Sequence, residues 1–204
     1  MRKRGKPDLG ECHDGSVTTL QAILLAGGRA QRMGGRDKML LHVRGKTLIQ
    51  HAVESVALAD QVAIVGPERD VNLGREVVWT REEPQFSGPA AAIAAGFKSL
   101  NLGRGDDLVI LPTDLVNPAE LVDALLGAEA NCVATDPAGF RQWACCRLVA
   151  EDLAAAIAQV DDLANASIRQ LFNPIELTEI RVSGRVCTDL DTEEDAKEYA
   201  DEQR

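Results

Sequence analysis

Short apolar runs alternate with helical patterns along the chain from Leu20 onward, and this alternation determines the class of fold. The runs with the length and composition of buried strands are 22–26, 62–65, 76–80, 108–111, 132–135, 143–149 and 179–182. The stretches with helical spacing are 48–58, 88–100, 118–126, 153–160, 167–172 and 193–201. Strands that alternate with helices predict a mainly parallel central sheet covered by helices on both faces. We therefore expect an α/β protein with three layers, α/β/α.

Length and composition fit one domain with a short extension. The 204 residues are the size of one ordinary domain, and a hydrophobic content of 45% supplies a core. We assign residues 20–204 to that domain. Residues 1–19 begin with four basic side chains but have no apolar segment of the kind found in secretory signals. We expect them to be a disordered N-terminal extension.

Charge and cysteine content exclude several classes of function. A net charge of −10 opposes general binding to nucleic acids or to a membrane surface, because the field of the protein repels polyanions. No apolar run has the length of a membrane span. The five cysteines are odd in number and include no C-x-x-C pair. We therefore expect reduced thiols in a cytoplasmic protein.

The stretch LLAGGRAQRMGGRDKM, residues 24–39, has the composition of a phosphate-binding loop. It contains four glycines, three arginines, one lysine and a single acid, Asp37. Glycines after a strand allow bare backbone N–H groups to approach a phosphate, and the basic side chains supply charge. The order of the glycines is not the dinucleotide-binding G-x-G-x-x-G, and Leu40 rules out a P-loop ending at Gly45-Lys46-Thr47. The alternative is a solvated, glycine-rich turn.

The same residues resemble the signature of a known enzyme superfamily. LAGGRAQRMGGRDK, residues 25–38, is similar to L-A-[GA]-G-x-x-x-R-M-G-x-x-x-K of the nucleotidyltransferases that make activated sugars and cofactors. Weaker matches follow in the same order at 45–51, 88–93 and 189–195, so that the resemblance covers 20–199. The chain looks most like the molybdenum cofactor guanylyltransferase branch, whose L-A-G-G it has where cytidylyl-transferring relatives tend to have L-A-A-G.

This resemblance implies a fold, a reaction and a set of ligands. The fold would be the Rossmann-like type of the nucleotide-diphospho-sugar transferases. The reaction would transfer GMP from GTP to the terminal phosphate of molybdopterin and release pyrophosphate, with Mg²⁺ as the cofactor. GTP and molybdopterin or the molybdenum cofactor would be the ligands, and other cofactor-biosynthesis proteins and molybdoenzymes would be further partners. Neither nucleic acid nor membrane is implied.

By the resemblance, the loop and one strand end supply the catalytic residues. Arg32 and Lys38 would neutralise the triphosphate. Asp114 follows the apolar run 108–111, so a buried strand would deliver its carboxylate to the same edge as the loop, where it would hold Mg²⁺ and meet the nucleotide. An acid at the start of the helix after Pro118 is the alternative reading of Asp114. Asp191 would be a second metal ligand or, alternatively, the cap of the helix at 193–201.

Further positions carry expected binding roles by the same resemblance. Residues that seat the nucleotide are expected to be Leu25, Ala26, Gly27 and Gly28. Glu82, or its neighbour Glu83, would accept from guanine, unless the two acids belong to a solvated loop. Gly88 and Gln142 would contact the second substrate, whereas the adjacent Trp143 reads as a core aromatic.

The chain departs from the family pattern after Asp114. Val116 stands where the family has a proline, Pro118 comes early, and Glu193 replaces a proline in the closing motif. Two other functions stay open at this point. The chain could use CTP or another phosphorylated acceptor, or it could bind a nucleotide without catalysis.

Overall fold

The central sheet carries the fold and has the predicted, mainly parallel arrangement. The structure is a computed structural model that describes residues 18–27, 32–33 and 36–187, with the side chains of 18–27, 37–184 and 186. Its strands are β1 (Leu20–Leu25), β2 (Arg32–Met33), β3 (Arg36–Asp37), β4 (His42–Val43), β5 (Lys46–Thr47), β6 (Gln61–Val65), β7 (Val78–Thr80), β8 (Asp107–Pro112), β9 (Cys132–Thr135), β10 (Arg141–Val149) and β11 (Thr178–Arg181). Its α-helices are α1 (Leu48–Ser55), α2 (Pro89–Ser99), α3 (Pro118–Leu126), α4 (Ala150–Ala158) and α5 (Ile168–Phe172).

Seven of these strands form one sheet in the order β11-β9-β10-β8-β1-β6-β7. β1 lies near the centre and pairs in parallel with β6 and with β8. β10 is the exception, because it runs antiparallel to both β8 and β9. The expectation of a mainly parallel α/β sheet is confirmed. The small antiparallel pairs β2–β3 and β4–β5 lie outside this sheet.

Helices cover both faces of the sheet, which gives the expected three layers. Apolar side chains of α1 and α3 pack with one face, and those of α2, α4 and α5 pack with the other. The central strands are buried on both faces because both are covered, and Ile23 and Ile110 are fully enclosed. Leucine, isoleucine, valine and alanine supply most of the core, as the low aromatic content requires.

Local sequence signals set several helix starts. α1 begins with a capping box in which the hydroxyl of Thr47 accepts from the backbone N–H of Gln50 and the side chain of Gln50 accepts from the N–H of Thr47. α2 and α3 each begin with a proline, which already has helical φ and lacks an N–H group that would be left unpaired.

Several predicted elements have other bounds in the structure, and two of these differences have a clear description. β7 begins at Val78 and is shorter than 76–80. α4 begins three residues before 153, because carbonyl groups of other segments take up its first N–H groups: Ala150 N donates to Asp106 O and Glu151 N to Arg104 O. The helix predicted at 193–201 lies outside the described residues.

Three cysteines of the described region are buried free thiols: Cys132, Cys145 and Cys146. Burial raises the pKa of Cys132 and raises that of Cys146 well above its usual value, because a thiolate would be desolvated there. These thiols therefore behave as small apolar side chains of the core. In the part of the chain that the structure describes, no helix is long and apolar enough to cross a bilayer.

Candidate active site

The carboxyl ends of β1 and β8 lie side by side and are joined by hydrogen bonds. Leu25 is paired with Pro112 at the end of the parallel ladder. Beyond it, the backbone N–H and the hydroxyl of Thr113 both donate to the carbonyl of Leu25, each at 3.1 Å. Asp114, the next residue, therefore leaves the sheet beside Ala26. The two segments that sequence alone placed at one edge do lie together there.

A lysine from the glycine-rich stretch contacts this aspartate. Lys38 Nζ lies 3.1 Å from Asp114 Oδ2, and the two side chains are 8% and 26% exposed. Lys38 opens a 3₁₀ turn (Lys38–Leu40) whose first N–H groups are capped by Asp37. Met39, 4% exposed, anchors this turn in the core and accepts a hydrogen bond from the hydroxyl of Thr113. The core therefore holds the backbone from which the lysine extends.

A pocket of about 580 Å³ opens at this edge. Seven of the residues singled out from the sequence line it: Leu25, Ala26, Gly27, Lys38, Glu82, Gly88 and Asp114. Much of the remaining wall is apolar and includes Val65, Pro89 and Ile168. An apolar cleft with a few convergent polar groups is the usual form of a small-molecule site. The placement of the seven residues is compatible with nucleotide binding.

Glu82 has a structural contact besides its place in the wall. Its Oε1 accepts from the backbone N–H of Phe86 at 2.9 Å, and only 9% of Glu82 is exposed. This bond closes the turn on which Phe86 adopts a positive φ of 67°. A carboxylate has acceptor sites on both oxygens, so holding the turn is compatible with a second hydrogen bond. Glu83, the other acid considered, lines a neighbouring pocket instead.

Gly88 forms the rim of the pocket, where a loop from elsewhere in the chain crosses it. Its φ of 98° is a conformation that favours glycine. A Cβ there would lie 3.4 Å from the Cα of Asn165, and Asn165 N donates to the neighbouring carbonyl of Ser87. The loop after α4 therefore closes against the start of α2 at ordinary contact distance, and it is the positive φ of Gly88 that favours glycine there.

The other predicted site residues fall into two groups. Gln142 does not line the pocket; its side chain donates to Asp136 at 3.2 Å, while Ala144 further along β10 reaches the wall. Trp143 lies under Arg141, whose guanidinium carbon is 5.2 Å from the ring centre, and it packs on the core as expected. Gly28, Asp191 and the side chain of Arg32 lie outside the described residues.

The pocket fits a divalent cation that arrives with a polyphosphate better than a cation held by protein alone. No group of three acidic, histidine or cysteine side chains within the described ranges could hold a metal. Mg²⁺ usually takes one or two carboxylates and completes its shell with substrate phosphates and water. Asp114 supplies one such carboxylate at the mouth of the pocket. The donor set therefore suits a divalent cation that binds together with a nucleotide.

Phe86 and Asn165 are among the wall residues that were not predicted as site residues from the sequence. Phe86 is 45% exposed and its ring lies 5.0 Å from the guanidinium carbon of Arg81. An aromatic residue in a chain with 3% aromatics, two positions before the glycine at 88, was a usable signal. Asn165 has a positive φ of 63°, which asparagine tolerates, but nothing local connects it with a site 77 residues earlier.

The departure from the family pattern after Asp114 is a packing change. Val116 is 3% exposed and packs with Val43 and Leu48. It belongs to a small apolar cluster under the β4–β5 hairpin and does not line the pocket. Pro118 is the first residue of α3. The altered residues therefore lie behind the site.

Comparison with known proteins bears on the family and the fold of the chain. The family model of the MobA-like NTP transferase domain matches residues 22–180. A molybdenum cofactor guanylyltransferase from Pseudomonas fluorescens is 41% identical over 106 residues, which are 50% of this chain and 51% of that protein. One from Cereibacter sphaeroides is 36% identical over 149 residues, 68% of this chain and 75% of that protein.

The alignment with the Pseudomonas protein spans about half of that relative's length. Among solved structures, molybdopterin-guanine dinucleotide biosynthesis protein A from Archaeoglobus fulgidus superposes with a TM-score of 0.59. The match covers 90% of this chain and 98% of that one at 17% identity, so it bears on the fold alone.

Proposed function

We propose, because the chain belongs to the MobA-like NTP transferase domain family, that it transfers GMP from GTP to the terminal phosphate of molybdopterin. Pyrophosphate would be released and the guanine dinucleotide form of the cofactor produced. The names of the aligned relatives support this choice of substrates. The observation that carries the proposal is the contact of Lys38 with Asp114 at the mouth of a pocket built from the ends of β1 and β8.

The reaction needs charge stabilisation more than proton transfer. The attacking group is a phosphate oxygen that is already ionised near neutral pH. It forms a bond to the α-phosphorus of GTP as the bond from that phosphorus to the β-phosphate oxygen breaks. The electron pair leaves with pyrophosphate, so no general base is required. Lys38 is placed to neutralise the leaving phosphates, and we assign the same task to Arg32.

Asp114 is the residue that would hold a divalent cation, and we propose Mg²⁺. When bound, Mg²⁺ would offset the charge of the phosphates and orient them for in-line displacement. Lys38 keeps the carboxylate of Asp114 directed at the mouth of the pocket. We assign Asp191 as a second ligand.

We propose that the pocket seats a purine nucleotide. Ala26 and Gly27 continue β1 and line the pocket, and their backbone would approach the base and ribose. We assign Gly28 to the same seat. Glu82 lines the pocket and would accept from the N–H groups of guanine. Gly88 at the rim and Gln142 beyond it are proposed to meet the acceptor.

The remaining assignments follow from this function. We propose a cytoplasmic enzyme that exchanges molybdopterin and its product with other cofactor-biosynthesis proteins and with molybdoenzymes. The small-molecule substrates are GTP and molybdopterin, and we propose no nucleic-acid or membrane partner. We propose a single domain at 20–204. Of the extension expected at 1–19, residues 1–17 lie outside the described residues, and Thr19 donates hydrogen bonds to Asp106.

The test is pyrophosphate release with GTP, CTP, ATP or UTP, each with and without molybdopterin and Mg²⁺. We expect release that needs GTP, molybdopterin and Mg²⁺ together. Asp114→Asn should lower kcat by about 10²-fold to 10³-fold, as loss of an electrostatic stabiliser does elsewhere. Asp123→Asn, the same change on the exposed face of α3, should keep full activity. Preference for CTP, or full turnover by the Asp114 variant, would contradict the proposal.

A further inference from the structure

We propose that Arg69 is a positioning residue for nucleotide binding. It holds Asp37, and through Asp37 it fixes the backbone from which Lys38 reaches the pocket. The inference rests on the proposed function, because Lys38 matters only if a polyphosphate binds there. Neither residue lines the pocket, and both would act through the lysine.

Arg69 lies in the loop after β6 and joins three separate segments. Its Nε donates to Asp37 Oδ2 at 2.6 Å and its Nη2 to Asp37 Oδ1 at 3.2 Å, which is a two-pronged contact with one carboxylate. Its Nη1 donates to the carbonyl of Pro67 at 2.8 Å, and Nη2 also reaches the carbonyl of Ala26 at 3.4 Å. The guanidinium thus ties the end of β1 and the end of β6 to the residue before Lys38.

The contact is stiff because the arginine is buried. Only 4% of the Arg69 side chain is exposed, against 31% of Asp37. A planar guanidinium that binds both carboxylate oxygens fixes orientation as well as distance. Lysine cannot reproduce this, because it is a single point charge on a flexible stem.

Asp37 passes this restraint on to Lys38. Its Oδ1 accepts from the backbone N–H of Met39 at 3.0 Å and so caps the 3₁₀ turn that begins at Lys38. Lys38 therefore lies between Asp37, which caps the turn, and Met39, whose N–H is capped. Its side chain then reaches Asp114. Hydrogen bonds therefore run from Arg69 through Asp37 to the backbone N–H of Met39, and they fix the backbone on both sides of Lys38.

Arg69 also offsets the negative charge of Asp37, which would be unfavourable beside a bound triphosphate. Asp37 is the single acid among residues 24–39 and is adjacent to Lys38. An uncompensated carboxylate beside the lysine would repel a triphosphate. Arg69 neutralises that carboxylate from the side away from the pocket lining.

The experiment compares GTP with GMP in calorimetric titrations of folded protein with Mg²⁺. Asp37→Asn/Arg69→Met removes the link without changing net charge, and Asn can still accept from Met39. We expect the Kd of GTP to rise about 10-fold to 100-fold, as when an outer-shell residue stops orienting a ligand group. The Kd of GMP should change by less than about threefold, because GMP lacks the phosphates that Lys38 meets. Arg69→Lys, a milder change, should weaken GTP selectively as well.

A cycle with Lys38 separates positioning from loss of stability. In a Lys38→Met background, the Asp37→Asn/Arg69→Met pair should weaken GTP by no more than about threefold further, since its effect passes through the lysine. Arg75→Met is the matched control. Arg75 donates to the carbonyls of Val56, Ala59 and Asp60 away from the loop, so its loss should lower Tm and leave GTP affinity unchanged.

The outcomes are distinguishable. An unchanged Kd of GTP in the Asp37→Asn/Arg69→Met variant, equal losses for GTP and GMP, or full additivity with Lys38→Met would each overturn the role of Arg69. Absence of binding of any nucleoside triphosphate by the unmodified protein would overturn the proposed function, and the positioning role with it.

Discussion

Replacing Gly66 with alanine should displace the backbone of Ala26 and Gly27, which we propose to contact the nucleotide. Gly66 follows β6 and lies directly against the peptide that continues β1. A Cβ at this position would be 2.6 Å from the carbonyl oxygen of Ala26, 2.7 Å from its carbonyl carbon and 3.2 Å from the nitrogen of Gly27. All three are backbone atoms, so no flexible side chain can move aside.

The structure sets the size of the disturbance. Ordinary contacts of a Cβ begin near 3.4 Å, so the new methyl and the oxygen of Ala26 must separate by about 0.8 Å, the difference between 3.4 Å and 2.6 Å. Both sides resist, since Ala26 N donates to Val65 O and Gly66 N donates to Thr80 O, each at 2.9 Å. Overpacking of this kind costs about 1–3 kcal/mol of stability. A shift near 1 Å at a substrate seat can cost about 10²-fold in rate.

The assay is Kd for GTP with Mg²⁺, followed by kcat/KM for pyrophosphate release and the urea midpoint of unfolding. We expect Gly66→Ala to weaken GTP binding or turnover by about 10-fold to 100-fold, beyond its loss of stability. Gly74→Ala is the matched control, because Gly74 has a positive φ of 71° but no atom within 4 Å of an added Cβ. It should lose about 1 kcal/mol of stability from backbone strain and keep the affinity for GTP.

Two results would refute this reasoning. If Gly66→Ala bound GTP like the unmodified protein, the ends of β1 and β6 would not define the seat. If Gly74→Ala lost as much affinity as Gly66→Ala, the effect would come from general destabilisation and not from contact with Ala26.

Two further predictions concern the core. Arg147→Met should lower the free energy of unfolding by about 3–5 kcal/mol, measured by urea titration, because it leaves the buried carboxylate of Asp107, 2.5 Å from Arg147 Nη2, without its cation. Asp107→Leu/Arg147→Met should recover most of that loss, and a cost below about 1 kcal/mol for the single change would contradict the argument. Because burial raises the pKa of Cys146, its contribution to stability is complete below the ordinary thiol value of 9.0 and is lost as pH rises toward the folded pKa. Stability measured from pH 7 to 10 should therefore fall above about pH 9, and less steeply in Cys146→Ala; equal slopes would sink this account.

Much of the fold was predictable because its elements carry local signals. The apolar run at 108–111 and the proline of residue 118 predicted β8 and α3. The Thr47–Gln50 capping box marks the start of α1. These signals depend on burial and on backbone hydrogen bonding within one segment, so they can be read in order along the chain.

The elements that were missed depend on distant partners. The direction of β10 is not encoded in its own apolar pattern, because an antiparallel strand alternates in the same way as a parallel one. The early start of α4 requires the carbonyls of Arg104 and Asp106, which belong to another loop. The β2–β3 and β4–β5 pairs are two residues long on each side, too short for a periodic signal.

The residues of the candidate site likewise divide into those with a local sequence signal and those that depend on distant partners. Lys38 and Asp114 were predictable because one belongs to a motif and the other ends a strand. Arg69 was not, since the loop after β6 shows an arginine among acids and gives no indication that it faces Asp37. Sequence therefore identifies groups that meet a ligand more readily than groups that hold those residues in place.

Charge in the pocket explains why a divalent cation and a triphosphate would bind together. Among the described residues that line it, the charged side chains are Lys38, Glu82 and Asp114, one cation and two acids. The pair of Asp37 and Arg69 adds no net charge behind them. These three described side chains together carry one negative charge, on a protein of net charge −10, so a triphosphate depends on further positive charge, which we assign in part to Arg32. A divalent cation at Asp114 would reverse the sign of this local charge, so we expect the metal to strengthen nucleotide binding as well as to assist the chemical step.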